Sequence, residues 1–149
     1  MDAADILQTY LDEVSLAVLS GDWETYRVRV CLPCHIVSHD ESKVVTTVDD
    51  LKAGFDQFHD TLRNQRVTDY IRLVESATQL DRDLITGRYI SHVISGSHRL
   101  TPPFRSEMTL RYVGDRWCAA SVTNSLVNSR WPLIRLAVNP DTPSEGSQE

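Results

Sequence analysis

The hydrophobic period of this chain changes near its middle, and that change limits the architecture more than any single motif does. Before about residue 65, apolar residues recur every three or four positions, the spacing of amphipathic helices; beyond it, until about residue 127, β-branched and aromatic residues gather into four long runs. Helices first and a meandering sheet after them predict an α+β domain whose sheet curls around the helices. With 149 residues there is room for one continuous core and hardly for two. One domain is expected over residues 1–135, followed by an acidic, disordered tail over 136–149, where the proline, glycine and serine content is high.

Ile6, Leu7, Tyr10, Leu11, Val14, Ala17 and Val18 place an apolar stripe along a helix spanning about residues 3–20, with Gly21 as its C-terminal cap. Asp22 restarts the chain as a capping residue, and a short helix carrying Trp23 and Tyr26 is expected before Pro33. A strand over 34–38, a brief one at Val44 and Val45, and a helix opened by Thr47 and Asp50 come next, the last with its stripe at Leu51, Phe55, Phe58 and Leu62. Long strands are predicted over 69–80, 84–95, 104–113 and 116–126, with Asp81-Arg82-Asp83 and Gly114-Asp115 as hairpin turns. On the first of these, Tyr70, Arg72 and Val74 share one face while Ile71, Leu73 and Glu75 share the other. Both faces therefore read as partly buried, as in a sheet covered by helices on one side and by a second copy on the other.

Composition excludes several classes. A hydrophobic content of 41% and a charged content of 24% are ordinary for a globular chain. The formal charge is −6, and the last eleven residues supply Asp141, Glu145 and Glu149 without a Lys or Arg. Clustered positive charge, the footprint of a nucleic-acid binder, is absent. No apolar run approaches the roughly 18 residues of a membrane span. The acidic start Met1-Asp2-Ala3-Ala4-Asp5 leads straight into a helical pattern, unlike a secretory signal, so a cytoplasmic protein is expected. Three cysteines suit a reducing compartment better than a disulfide scaffold.

A first helix ending in Gly21-Asp22-Trp23, a strand, a capped helix, and four long strands closing with Gly114-Asp115-Arg116-Trp117 together resemble the NTF2-like superfamily over residues 3–127. The strand Gly87-Arg88-Tyr89-Ile90-Ser91-His92 is similar to the SnoaL-like and ketosteroid-isomerase-like branch. The resemblance implies a cone: a curved, mostly antiparallel sheet wrapped around N-terminal helices, with a pocket at its open end and a homodimer formed through the sheet. Proteins of this kind include isomerases, dehydratases, polyketide cyclases and domains with no catalysis, so fold analogy leaves the reaction open. An enzyme, a non-catalytic ligand-binding or dimerisation domain, and a structural subunit like the small subunit of ring-hydroxylating dioxygenases all remain. Ketosteroid isomerases place a tyrosine on the first helix and an aspartate after the first strand. Here the tyrosine's position falls near Val14, with Tyr10 one turn earlier, and the aspartate's region is Ser38-His39-Asp40. A third, protonated acid has no matching position, Glu107 being the nearest candidate, which speaks against true ketosteroid isomerase activity.

Cys31-Leu32-Pro33-Cys34-His35 matches the CxxCH pattern of covalent haem attachment, but it runs into a predicted strand without an export signal. Redox use of the pair wants a helix N-terminus that is not expected there, so the cysteines read as coincidental and Cys118 as a small core residue. No cofactor and no metal are expected, since His35 and His39 have no third ligand at recognisable spacing. His39 and Asp40 are the acid/base candidates because an imidazole titrates near neutrality and a carboxylate beside it would orient the ring; with Tyr10 as enolate stabiliser they make the catalytic set. Trp23, Tyr26, His35, Phe55, Phe58, Tyr89 and His92 are the candidate ligand contacts for a small, largely apolar organic molecule. For the aromatic residues the plain alternative is core packing, and for the histidines a solvated strand position.

Overall fold

A computed structural model of the chain describes residues 1–38 and 41–124. The first apolar stripe becomes α1, Ala3–Ser20, with Leu7, Leu11 and Val18 fully buried. Asp2 caps its start by accepting the Asp5 amide at 2.9 Å, and Gly21 ends it in the left-handed conformation at φ +78°. That glycine also leaves room for a neighbour, since a Cβ there would stand 3.0 Å from the His59 ring. Asp22 caps α2, Trp23–Arg27, and Thr47 caps α3, Val48–Asn64, by accepting the Asp50 amide at 3.1 Å.

The strands are β1, Val30–Val37; β2, Ser42–Val45; β3, Asp69–Asp81; β4, Leu84–Ser95; β5, His98–Arg99; β6, Phe104–Val113; and β7, Arg116–Asn124. They form one curved, unclosed sheet in the order β2-β1-β7-β6-β4-β3, with β5 paired to β4. All pairs are antiparallel except β1 with β7, which run parallel. The architecture is the α+β arrangement expected, with the helices packed into the concave side. The expected tail at 136–149 lies outside the described residues, as do the last two positions predicted for the final strand.

Three features depart from the sequence expectations. β1 begins at Val30, four residues early, and runs through Pro33, which lacks an amide donor. Pro33 is tolerated because it falls outside both ladders: β1 pairs with β2 from Cys34 onward, and its register with β7 is interrupted between Val30 and His35. The short β5 was not anticipated, and it is made by a turn at Gly96, φ +63°. Finally, Cys31 and Cys118 are joined as a disulfide across β1 and β7, Cα to Cα 5.4 Å, leaving Cys34 as the free, buried cysteine. The expectation of coincidental, reduced cysteines is corrected here: parallel pairing brings together two thiols 87 residues apart.

α1 is held against the edge strand β3 by polar ties as well as apolar packing. The Gln8 side chain donates to the Arg72 carbonyl at 2.7 Å and accepts the Val74 amide at 2.9 Å, so it acts as a partner for a strand edge that would otherwise be open. Close approach also depends on Gly87 in β4: a Cβ there would collide with the Leu7 side chain and lie 2.8 Å from the Ser76 carbonyl oxygen. Among the described residues no helix is long and apolar enough to cross a membrane.

Candidate functional site

Strand periodicity decides which side chains enter the cone. On β4 the burial alternates so that Tyr89, Ser91 and Val93 face inward, while Arg88, Ile90 and His92 face outward. On β3 Tyr70 and Arg72 face inward. Cross-strand register then sets Arg72 directly opposite Ser91, and Tyr89 opposite Ser106 of β6. These polar groups sit at one wall of a cavity of about 110 Å³ that α1, α2, α3 and the concave face of the sheet enclose together. The other walls are mostly apolar, with Ile36, Val45, Leu51, Phe58 and Met108 among them, and the exposed Glu41 and Lys43 stand at its rim. Four of the chain's five tyrosines, Tyr10, Tyr26, Tyr70 and Tyr89, line this space.

Arg72 is the site's most unusual residue. Only 7% exposed, it donates from Nε to the Ser15 hydroxyl at 2.9 Å and from Nη2 to the Leu11 carbonyl at 3.3 Å, both on α1. Its guanidinium carbon lies 4.8 Å from the Tyr70 ring centroid and 5.7 Å from that of Tyr89, within cation–π range. Among the described residues no carboxylate forms an ion pair with it. Burial alone would lower its pKa, but Tyr70, Tyr89 and Tyr10 outweigh that effect and hold it above the ordinary arginine value. The guanidinium is a permanent positive charge inside an otherwise apolar space.

Three tyrosines and a cysteine on the cavity wall are held in their neutral forms by burial. Burial pushes the Tyr10 and Tyr26 hydroxyls well above the usual tyrosine value, and it raises Tyr89 despite the opposing influence of Arg72. Burial likewise pushes the Cys34 thiol up to about 11, so it is no thiolate nucleophile at neutral pH. Tyr10 donates its hydroxyl to the Arg29 carbonyl at 2.7 Å, which engages the proton an enolate would need. Arg29 itself ion-pairs with Glu13 and donates to the Trp117 carbonyl at 3.2 Å, tying α1 to β7. Ser91, 1% exposed, has a hydroxyl with no hydrogen-bond partner.

Of the residues singled out in the sequence, Tyr10, Tyr26, Phe58 and Tyr89 line the cavity, as does Val14. Trp23 and Phe55 do not; their ring centroids are 5.5 Å apart and they pack with Tyr26 between α2 and α3. His35 is on the outer face of β1, in the groove beside the disulfide, because it follows the inward-facing Cys34 by one residue. His92 is outward as well, where Arg99 lies 2.7 Å from its Nδ1. Glu107 pairs with Arg88 at 2.9 Å on the outer face, far from an acid's role in the cavity. His39 and Asp40 lie outside the described residues, although their flanking neighbours Ser38 and Glu41 line the cavity. Arg72, Tyr70 and Ser106 were missed as site residues. The available signal was the alternation Tyr70-x-Arg72 facing Tyr89-x-Ser91, which places polar groups in phase on neighbouring strands. No group of three or more His, Cys, Asp or Glu among the described residues is placed to hold a metal.

No protein-family model matches the chain, and no curated protein sequence matches it. Solved structures do. An NTF2-like protein of unknown function from Shewanella oneidensis is 13% identical, with a TM-score of 0.64 over 81% of this chain and 97% of that one. An NTF2-like protein with a cystatin-like fold from Novosphingobium aromaticivorans is 18% identical, with a TM-score of 0.62 over 85% of this chain and 82% of that one. A ketosteroid isomerase-like protein from Erwinia carotovora is 13% identical, with a TM-score of 0.59 over 82% and 94%. The chain therefore has the NTF2-like, cystatin-like fold.

Proposed function

We propose that the cone binds a small, largely apolar organic molecule. What carries this reading is the enclosure itself, an apolar-walled cavity on which a few polar side chains converge at one wall. Its size, about 110 Å³, is on the order of one small ring. A thermal-shift screen of small apolar compounds tests it: hits should lose their effect when Ala119→Leu fills the cavity from β7. A screen in which nothing stabilises the protein, or in which filling the cavity leaves the hits intact, counts against the reading.

An acid/base enzyme of the SnoaL-like or ketosteroid-isomerase-like kind is the second reading, favoured by Glu41 on the cavity rim and by polar groups on the wall within. In that reading Glu41, His39 or Asp40 removes a proton beside a carbonyl, and Tyr89 or Arg72 meets the negative charge that develops, the Tyr10 hydroxyl being already given to the Arg29 carbonyl. Deuterium uptake beside the carbonyl of a bound ketone, lost in Glu41→Gln, His39→Ala or Asp40→Ala, would support it. A protein that binds such ketones and leaves their protons unexchanged is a binding domain.

A homodimer through the outer face of the sheet belongs to the same proposal. Its support is the pair Ile71 and Leu73 on β3, 40% and 48% exposed on the side away from α1. Sedimentation equilibrium should give a dimer that Leu73→Lys dissociates, and a monomeric parent would refute it.

A further inference from the structure

At its inner wall the proposed pocket holds a buried positive charge with which no carboxylate among the described residues pairs, and that imbalance names a ligand class. We infer that the cavity takes a small organic monoanion, a carboxylic acid with an apolar body, its carboxylate seated between Arg72 and Ser91. This rests on the ligand-binding reading above and specifies it. Arg72 is buried, and among the described residues it forms no ion pair. A buried charge is retained at a high desolvation cost unless something compensates it. The guanidinium donates to Ser15 and Leu11 on α1 and to the Tyr89 hydroxyl, which fixes the side chain's direction and still leaves N–H donors over from its five.

Ser91 is the independent observation. Its hydroxyl is buried on the cavity wall without a hydrogen-bond partner, and it is directly across the β3–β4 ladder from Arg72. Opposed residues on one face of a sheet have Cβ atoms about 5 Å apart, the separation that lets one carboxylate accept from both. A buried donor left unpaired is costly, so a protein keeps one where a ligand completes it. The class follows from the count of charges. Glu41 and Lys43 on the exposed rim are of opposite sign, so the buried wall offers one guanidinium among hydroxyls; that matches a monoanion, whereas a phosphate dianion would want a second cation beside it. Ile36, Leu51, Phe58 and Met108 offer the body of the molecule apolar contact, which suits a branched or aromatic hydrocarbon group.

Calorimetric titration with matched probes tests the inference: benzoate and isobutyrate, their neutral amides benzamide and isobutyramide, and benzene. The acids should bind at least about 10-fold more tightly than the amides, one charge-assisted hydrogen bond's worth of discrimination. Ser91→Ala should weaken acid binding by roughly 3- to 10-fold while leaving benzene unaffected. Arg72→Gln should abolish the preference for acids; should that variant fail to fold, Arg72→Lys and Ser91→Ala carry the test. Amides binding as tightly as acids, or benzene alone binding, would overturn the carboxylate and leave the pocket standing. Binding by none of the probes would remove both.

Discussion

The two faces of the same strands treat arginine in opposite ways. On the outer face Arg88 reaches Glu107 at 2.9 Å and Arg105 reaches Glu75 at 2.9 Å, all four side chains at least 36% exposed. On the inner face Arg72 is 7% exposed and has hydroxyls, a carbonyl and aromatic rings around it in place of a carboxylate. Water screens the outer pairs and would solvate either partner alone, so they contribute little and can be exchanged freely. The inner charge has no such reserve, and the groups that meet it are those of α1 and the tyrosines. A difference of one residue along a strand therefore separates a solvated surface from a buried, polar-lined cavity wall.

The largest test of this division is on the outer side, where the disulfide joins β1 to β7. Replacing both Cys31 and Cys118 by serine should cost about 2–4 kcal/mol, read from urea unfolding, because the bridge closes a long loop in the unfolded chain. Alkylation in urea without reductant, which exposes the buried Cys34, should label one cysteine of three, and labelling of all three would mean that the bridge does not form. A slightly smaller effect is expected inside. The Cys34 thiol is neutral in the fold until about pH 11, whereas the unfolded chain ionises at its ordinary value of 9.0. Stability is therefore complete below pH 9 and falls as the pH rises toward 11, by roughly 2–3 kcal/mol from this residue. Urea midpoints across that window should fall less steeply in Cys34→Ala, and parallel slopes would show that the thiol is not shielded as described.

Gly87→Ala comes next, at about 1–3 kcal/mol, because its Cβ would meet Leu7 and the Ser76 carbonyl in the seam between α1 and the sheet. Unchanged thermal unfolding in that variant would mean that the helix sits farther off than the geometry gives. The smallest effect belongs to the outer face: Arg88→Ala should stay within about 0.5 kcal/mol of the parent in the same assay. A larger loss would mean that the proposed dimer contact extends from Ile71 and Leu73 on β3 as far as Arg88 on β4, and would blur the contrast between the two sides.

Local chemistry was legible where it is written in adjacent residues. The bounds of α1 follow from its stripe and from Gly21, and β4 and β6 begin and end at their predicted residues, since Gly, Pro and Asp mark their turns. Features made by distant segments were not legible. The parallel pairing of β1 with β7 and the disulfide it carries depend on residues 87 apart, and neither periodicity nor a short motif reports such a contact. β1 was begun too late because Pro33 reads as a break, although a gap in both ladders accommodates it. The site was half legible: Tyr10, Tyr26, Phe58 and Tyr89 were named, but an arginine in the middle of a strand reads as a solvent-facing position. Only the packing of α1 over β3 turns Arg72 inward. The even mixture of apolar and polar residues on β3 predicted two partly buried faces, and the outer one leaves Ile71 and Leu73 open.

The bond between Cys31 and Cys118 also makes most of the molecule a covalent ring. β2, α3 and strands β3 to β6 all lie within it, while α1 and α2 form an arm attached at one point. A protease that cuts once anywhere between those cysteines leaves a single molecule of unchanged size, and its two pieces part only when reductant is added.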